Sequence, residues 1–250
     1  MSNFAQPDLT EHPPRSPRVR MSYLDRSSLG ATLDSVSEAQ CFGKTIPEAQ
    51  RQSVARWIAG RQGLPGAYAG MFAPTERDAL GSRLFTGEAV HSRVGVAHLL
   101  GEEGCRILAS LRVEDRAVQA ALGRAVEGMS IRIDEEERRS RRVGTYCCGT
   151  CSVGYWRNLA IHLFPRAEER LRLGMKALKQ HRRGDGQWRR HPFFFTSLAL
   201  TEIGAELAGE EMEYAATRWR KILPRLACSE GSVGTRRATV GRRLLELCET

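Results

Sequence analysis

The chain has 250 residues, 41% of them hydrophobic, and a mean hydropathy of −0.39, so it has the composition of a globular protein able to bury roughly 70–75% of its unfolded surface. Its longest apolar run, 193–200, falls far short of the ~20 residues a membrane-spanning helix needs. The start also lacks a charged segment followed by an apolar one, so the expected setting is cytoplasmic, with no membrane span. A net charge of +9 favours an anionic partner and says nothing of the fold; only four of the 38 basic residues are lysines.

Residues 1–44 are rich in Pro, Ser and charge, have no sustained apolar period, and balance five basic against five acidic residues. Such a segment buries too little surface to offset its ordering entropy and is expected to be a disordered tail. Helical periodicity starts after Pro47, through Ala49, Ser53, Trp57 and Ile58, and stops near the glycines at 60 and 63. A long connector with Pro74, Gly81 and Gly87 follows, then a helix over 91–111 and another over 114–129. The charged run 134–142, DEEERRSRR, reads as a loop. Further helices are expected over 152–163 (ended by Pro165), 168–181, 193–203 (opened by Pro192) and 206–223 (ended by Pro224). No segment alternates with period two for long enough to make a convincing strand. The chain therefore divides into the tail, an all-α domain of helical hairpins over 45–228, and a basic segment over 229–250 with a short helix at 240–248.

Three Gly-x-aromatic turns punctuate this pattern: Gly66-Ala67-Tyr68, Gly144-Thr145-Tyr146 and Gly186-Gln187-Trp188, each followed by a helix. Glycine permits a left-handed turn past a helix end, and the aromatic two residues on can pack across the ends of both helices. Hairpins of roughly 40 residues then stack on a shared core. In Arg56-Trp57-Ile58-Ala59-Gly60-Arg61-Gln62-Gly63-Leu64-Pro65-Gly66-Ala67-Tyr68 an aromatic and an aliphatic are followed by three residues, Gln, three more and Gly-x-aromatic. This resembles the QW repeat of the terpenoid-cyclase and protein-prenyltransferase α/α toroids. The unit Gly174…Leu178…Asp185-Gly186-Gln187-Trp188 is similar, with Arg182 where glutamine is expected. The resemblance spans about 47–205 and implies an incomplete toroid or solenoid arc of stacked hairpins. It also implies an isoprenoid substrate, but the family's DxDD acid, its DDxxD metal motif and its Asp-Cys-His zinc set do not occur in this sequence.

Seven cysteines, an odd number with no export signal, read as reduced thiols. Cys148-Gly149-Thr150-Cys151 is a CxxC just before an expected helix, whose positive end favours a thiolate. Zinc needs further ligands, for which His98, Cys105 and His162 are the candidates brought by the fold; buried packing and redox chemistry are the other uses of such a group. Arg182, Arg183, Arg189 and Arg190 lie in one expected loop and Arg138, Arg139, Arg141 and Arg142 in another, so hairpins stacked in register place them at one end, either as an anion site or as a solvated basic surface. Tyr146, Trp156, Trp188 and Phe194 are the aromatics expected beside them, either packed between hairpins or facing an apolar pocket. Three functions remain. The first is a prenyltransferase- or cyclase-like protein holding an apolar or anionic small molecule, a diphosphate-bearing apolar ligand included. The second is a binding scaffold whose basic rim meets a protein or nucleic acid. The third is a metal-dependent enzyme built on Cys147–Cys151.

Overall fold

The computed structural model describes residues 22–227 and 231–249; among them ten α-helices and one two-stranded ribbon form the regular structure, and the fold is all-α. The ribbon, Ser82–Arg83 (β1) antiparallel to Ala89–Val90 (β2), pairs Ser82 with Val90 and Arg83 with Ala89. Two residues a side are too few to show an alternating pattern in sequence.

The expectation of a disordered tail is corrected for residues 22–44, while 1–21 lie outside the described residues. Leu29–Cys41 is helix α1, with Leu29, Leu33 and Val36 buried along one stripe. Its start is fixed from far away in sequence. Ser28 caps the Ala31 amide, and the buried Asp78 carboxylate accepts from Ser28 Oγ at 2.6 Å and from the Leu29 and Gly30 amides at 2.9 and 3.1 Å. A carboxylate at a helix N-terminus satisfies amides that have no partner within the helix. The short stripe is diluted by its Ser- and Asp-rich surroundings, so composition hides it.

A second correction concerns the charged run. Helix α5 spans Arg116–Ser140 and includes residues expected in a loop. Its apolar stripe, Val118, Ala121, Ala125, Met129 and Ile133, is continued by charge pairs one turn apart, Arg132–Glu135 and Arg139–Glu136. Glu137 at its end is buried against Arg170. Helix α9, Ala205–Ala227, likewise runs through Pro224, and α10 spans Ser232–Cys248 where only a short terminal helix was expected.

The remaining helices are α2 (Glu48–Ala59), α3 (Glu76–Ala79), α4 (Arg93–Leu111), α6 (Gly149–Ala160), α7 (Ala167–Lys179) and α8 (Phe193–Ile203). Packing follows an inner and an outer series. α4 packs on α6, α6 on α8, and α8 on α10, while α1 lies against α4; outside them α2 packs on α5 and α7 on α9. Inner helices are buried almost all round: every residue of α6 from Cys151 to Leu159 is buried, as is α8 from Phe195 to Thr201. The outer α7 instead buries one stripe, Leu171, Gly174, Met175 and Leu178. Arg236 of α10 reaches back to Asp34 (2.7 Å) and Glu38 of α1, so the last inner helix is ion-paired to the first. Between the inner helices, Arg157 holds Glu202 at 2.6 Å and Glu103 at 2.8 Å, and Arg106 holds Glu103 and Ser37.

All three Gly-x-aromatic glycines have positive φ: +90° at Gly66, +81° at Gly144 and +82° at Gly186. Gln62 and Arg182, each three residues past its helix end, both form an isolated β-bridge across their loop, with Phe72 and Trp188 respectively. Arg182 therefore occupies the backbone position of Gln62, and turns its side chain to Glu211 of α9. The turns share one end of the molecule. The Tyr68 and Tyr146 hydroxyls hydrogen-bond at 2.6 Å, and Trp156 donates its indole N–H to Gly144 O at 2.7 Å while stacking on His191 of the third loop. At Gly144 a Cβ would lie 2.3 Å from the Arg170 carbonyl oxygen and 2.6 Å from the Gly174 amide. Gly144→Ala should therefore destabilise the fold by roughly 2–4 kcal/mol, from φ strain and overpacking together, read as a lowered urea midpoint.

Candidate metal centre

Helix α6 opens with Cys148 as its N-cap residue, in extended backbone, and Cys151 in its first turn. Cys147 just before it is left-handed, with φ +36°, an uncommon conformation for a residue with a Cβ. The three sulfurs lie within 4.8 Å of one another, Cys147 and Cys148 exposed and Cys151 buried. Tetrahedral zinc with sulfur bonds of ≈ 2.3 Å needs sulfurs about 3.8 Å apart, so the set is within a rotamer adjustment of a metal's demand.

Helix α4 brings His98 to the buried side of this group. His98 Nδ1 lies 3.1 Å from Cys151 Sγ, and its Nε2 lies 3.3 Å from Glu102 Oε1, one helical turn on. The ring is held between two tyrosines, stacked on Tyr68 with centroids 4.5 Å apart and edge-on to Tyr146 at 4.9 Å. Glu102 is 1% exposed, and neither of its oxygens has a well-formed hydrogen bond. Gly154 of α6 makes room for it, since a Cβ there would meet Glu102 Oε2 at 2.4 Å. A buried carboxylate facing the far nitrogen of an imidazole, whose near nitrogen faces a sulfur cluster, is the outer-shell arrangement of metal-ligating histidines.

The electrostatics follow from burial and crowding. The Cys148 thiol is pushed down to about 5, chiefly by the Cys151 thiol, with the amides of Cys151 and Thr150 adding to it against burial. Cys151 is raised by Cys148 and by burial, and burial raises Cys147 and Glu102. Of the three thiols Cys148 alone is shifted downward.

Of the sequence-derived metal candidates, His98, Cys148 and Cys151 come together and Cys105 does not. Cys105 is seven residues past His98 on α4, about 10 Å along the axis, and is buried elsewhere with its thiol pushed up by burial. Cys147, part of the cysteine group read from the sequence, joins them, and packing adds two residues that the CxxC spacing does not announce, Glu102 and Tyr68. The four-residue separation of His98 and Glu102 on one helix is the signal that pairs them.

The arginine and aromatic candidates are placed differently. Arg182 is committed to Glu211 at 2.6 Å and lies over the Tyr214 ring. Arg183 faces Asp185 at 3.8 Å, Arg189 donates to Gln180 O, and Arg190 is exposed. His181 and His191 stand beside them with ring centroids 5.1 Å apart. Both imidazoles are held below their usual range by burial, and the cations at Arg189, Arg190 and Arg142 add to this at His181. Trp188 is buried and donates to Glu211 at 2.8 Å; Trp156 and Tyr146 are buried in the contacts described above. Phe194 packs on Trp219 beneath the Arg237 guanidinium. These four aromatics join hairpins to one another.

On the inner side of Glu102, a cavity of about 40 Å³ is bordered by Glu103, Arg157, Leu99 and Phe195. That is room for about three waters at the 10–15 Å³ each requires. No known family model matches the chain, and no characterised protein or solved structure is significantly similar to it.

Proposed function

We propose that this chain is a zinc-binding helical protein in which Cys147, Cys148 and Cys151 hold the ion as thiolates and His98 Nδ1 is the fourth ligand. The observation that carries this reading is His98 between Cys151 and an otherwise unpartnered buried Glu102. Among the described residues that carboxylate has nothing but the His98 ring to bond, and an imidazole N–H directed at it sets the tautomer that leaves Nδ1 free for a metal. A soft, three-sulfur donor set favours zinc over the hard cations magnesium and calcium. The left-handed backbone at Cys147 supports the same reading, because it turns a third sulfur toward a CxxC that needs only two for redox chemistry. Three thiolates with an imidazole make a closed site of the structural kind, joining the inner helix α4 to the start of α6. The exposed Cys147 and Cys148 keep the ion within reach of solvent.

The apolar-ligand reading implied by the toroid resemblance needs a chamber between the inner helices. There Arg157, Glu103, Glu202 and Arg106 form an ion network beside a cavity of water size, so the support lies with the metal. Protein purified under reducing conditions should carry about one zinc per chain by elemental analysis. Cys148→Ser and Cys151→Ser should lose most of it, and Cys105→Ser should keep it. Zinc-free wild-type protein that also fails to take up added zinc would overturn the proposal.

A further inference from the structure

The same sulfurs support a second chemistry when no metal holds them. We propose that metal-free Cys148 and Cys151 are a thiol–disulfide exchange couple, Cys148 attacking and Cys151 resolving, and that zinc and disulfide exclude each other. This rests on reading the sulfurs as one functional group and is independent of whether zinc is the occupant in the cell.

The asymmetry of the pair assigns the roles. Cys148 is exposed at the N-cap of a 12-residue helix, where the positive end of the dipole favours a thiolate and a substrate disulfide can approach. Cys151 is buried beneath it, out of a substrate's reach, with its sulfur within 4.8 Å of that of Cys148. Bond formation brings the sulfurs to ≈ 2.05 Å, and residues three apart in a first helical turn are within the Cα separation a disulfide accepts. His98 Nδ1, 3.1 Å from Cys151 Sγ, is placed to take that thiol's proton, with the resulting imidazolium facing Glu102.

The exchange balances as follows. The Cys148 thiolate attacks one sulfur of a disulfide RS–SR, forming a Cys148–SR bond and expelling RS⁻, which is protonated from water. Cys151 passes its proton to His98 and attacks Cys148 Sγ, breaking the Cys148–SR bond and releasing the second RS⁻, which recovers that proton. The substrate gains two electrons and the Cys148–Cys151 dithiol loses them; a small dithiol such as dithiothreitol restores it. Zinc occupies both thiolates, so the bound ion blocks the first step and the disulfide removes two of its ligands.

The test uses the full-length protein stripped of metal with a chelator, mixed in a single turnover with the aromatic disulfide 5,5′-dithiobis(2-nitrobenzoate). The wild type should release two thiolate equivalents rapidly and yield a Cys148–Cys151 disulfide, located by peptide mass. Cys151→Ser should stop at one equivalent, with the aryl thiol bound to Cys148. Cys148→Ser should slow the fast phase at least tenfold, and Cys105→Ser, at a buried thiol outside the group, should retain both phases. Prior addition of one equivalent of zinc should slow the wild type at least tenfold. Circular dichroism showing unchanged helicity keeps the variants comparable, and tandem fragmentation of the peptides separates the couple from the exposed Cys147 beside it and from Cys41, Cys228 and Cys248. Two rapid equivalents from Cys151→Ser, or a Cys148→Ser fast phase at the wild-type rate, would refute the couple. Zinc uptake with inert apo thiols defeats this inference alone; rapid exchange without zinc uptake defeats the metal reading alone.

Discussion

Arg157→Met should cost about 3–5 kcal/mol of folding stability at neutral pH, more than most single substitutions, and should do so without touching the cysteine group. Arg157 is 3% exposed, and its guanidinium forms a fork on Glu202, at 2.6 and 2.8 Å, while reaching Glu103 at 2.8 Å. Methionine fills the same space but leaves two mostly buried carboxylates with one cation, Arg106, between them. The loss belongs at the lower end of the range if water enters, since both carboxylates are about one-fifth exposed. The pH dependence identifies the cause. Burial alone would raise the Glu103 pKa, but Arg106 and Arg157 together outweigh it and hold the carboxyl far below its ordinary range. A folded-state pKa below the unfolded value of ≈ 4.3 gives stability that is fully present above that value and lost as pH falls toward the depressed one. The difference between wild type and Arg157→Met should therefore be constant above about pH 5 and narrow below about pH 4. Urea midpoints at pH 7 and pH 3.5, at equal slope, measure it; a pH-independent difference would mean lost packing and not lost charge.

This network also explains why the interior was hard to read from sequence. Glu103, Arg106, Arg157, Glu202 and Arg236 look like surface charge in a chain with so many arginines, and only the convergence of α1, α4, α6, α8 and α10 makes them interior. Local rules did better where one residue decides the backbone. Pro192 opens α8 at Phe193, and the glycines at 66, 144 and 186 take the positive φ their turns need. They failed where the deciding partner is distant, as with Asp78 capping α1 from 48 residues past Gly30, or where charge pairing extends a helix, as in α5. The site divides the same way. The CxxC and its helix N-terminus are local and visible. His98 is 53 residues from Cys151, and Tyr68 is 78 from Tyr146, so their convergence is a property of the packed loops. Helical rise alone separates Cys105 from His98: two turns along one helix cannot meet at one ion.

Glu102→Gln should separate metal binding from stability, with effects of opposite sign. Glutamine keeps the shape of the side chain in the space left by Gly154 and removes the charge that faces His98 Nε2. Loss of a hydrogen-bonded outer-shell carboxylate weakens metal binding by about 10–100-fold, so the zinc dissociation constant measured by competition with a chromogenic chelator should rise by that factor. The metal-free protein should become more stable by about 1–3 kcal/mol, because a buried carboxylate with no hydrogen bond is replaced by a neutral amide. His98→Ala supplies the contrast. It removes a proposed ligand and the ring packed between Tyr68 and Tyr146, so both zinc affinity and apo stability should fall. Zinc at 1,000 times its dissociation constant adds ≈ 4.1 kcal/mol to the wild type, and that increment should shrink by about 1.4 kcal/mol for each tenfold loss of affinity in Glu102→Gln. Glu102 kept at its unfavourable buried position without any effect on zinc affinity would leave it as a packing residue, and the histidine as its neighbour in place of its metal-side partner.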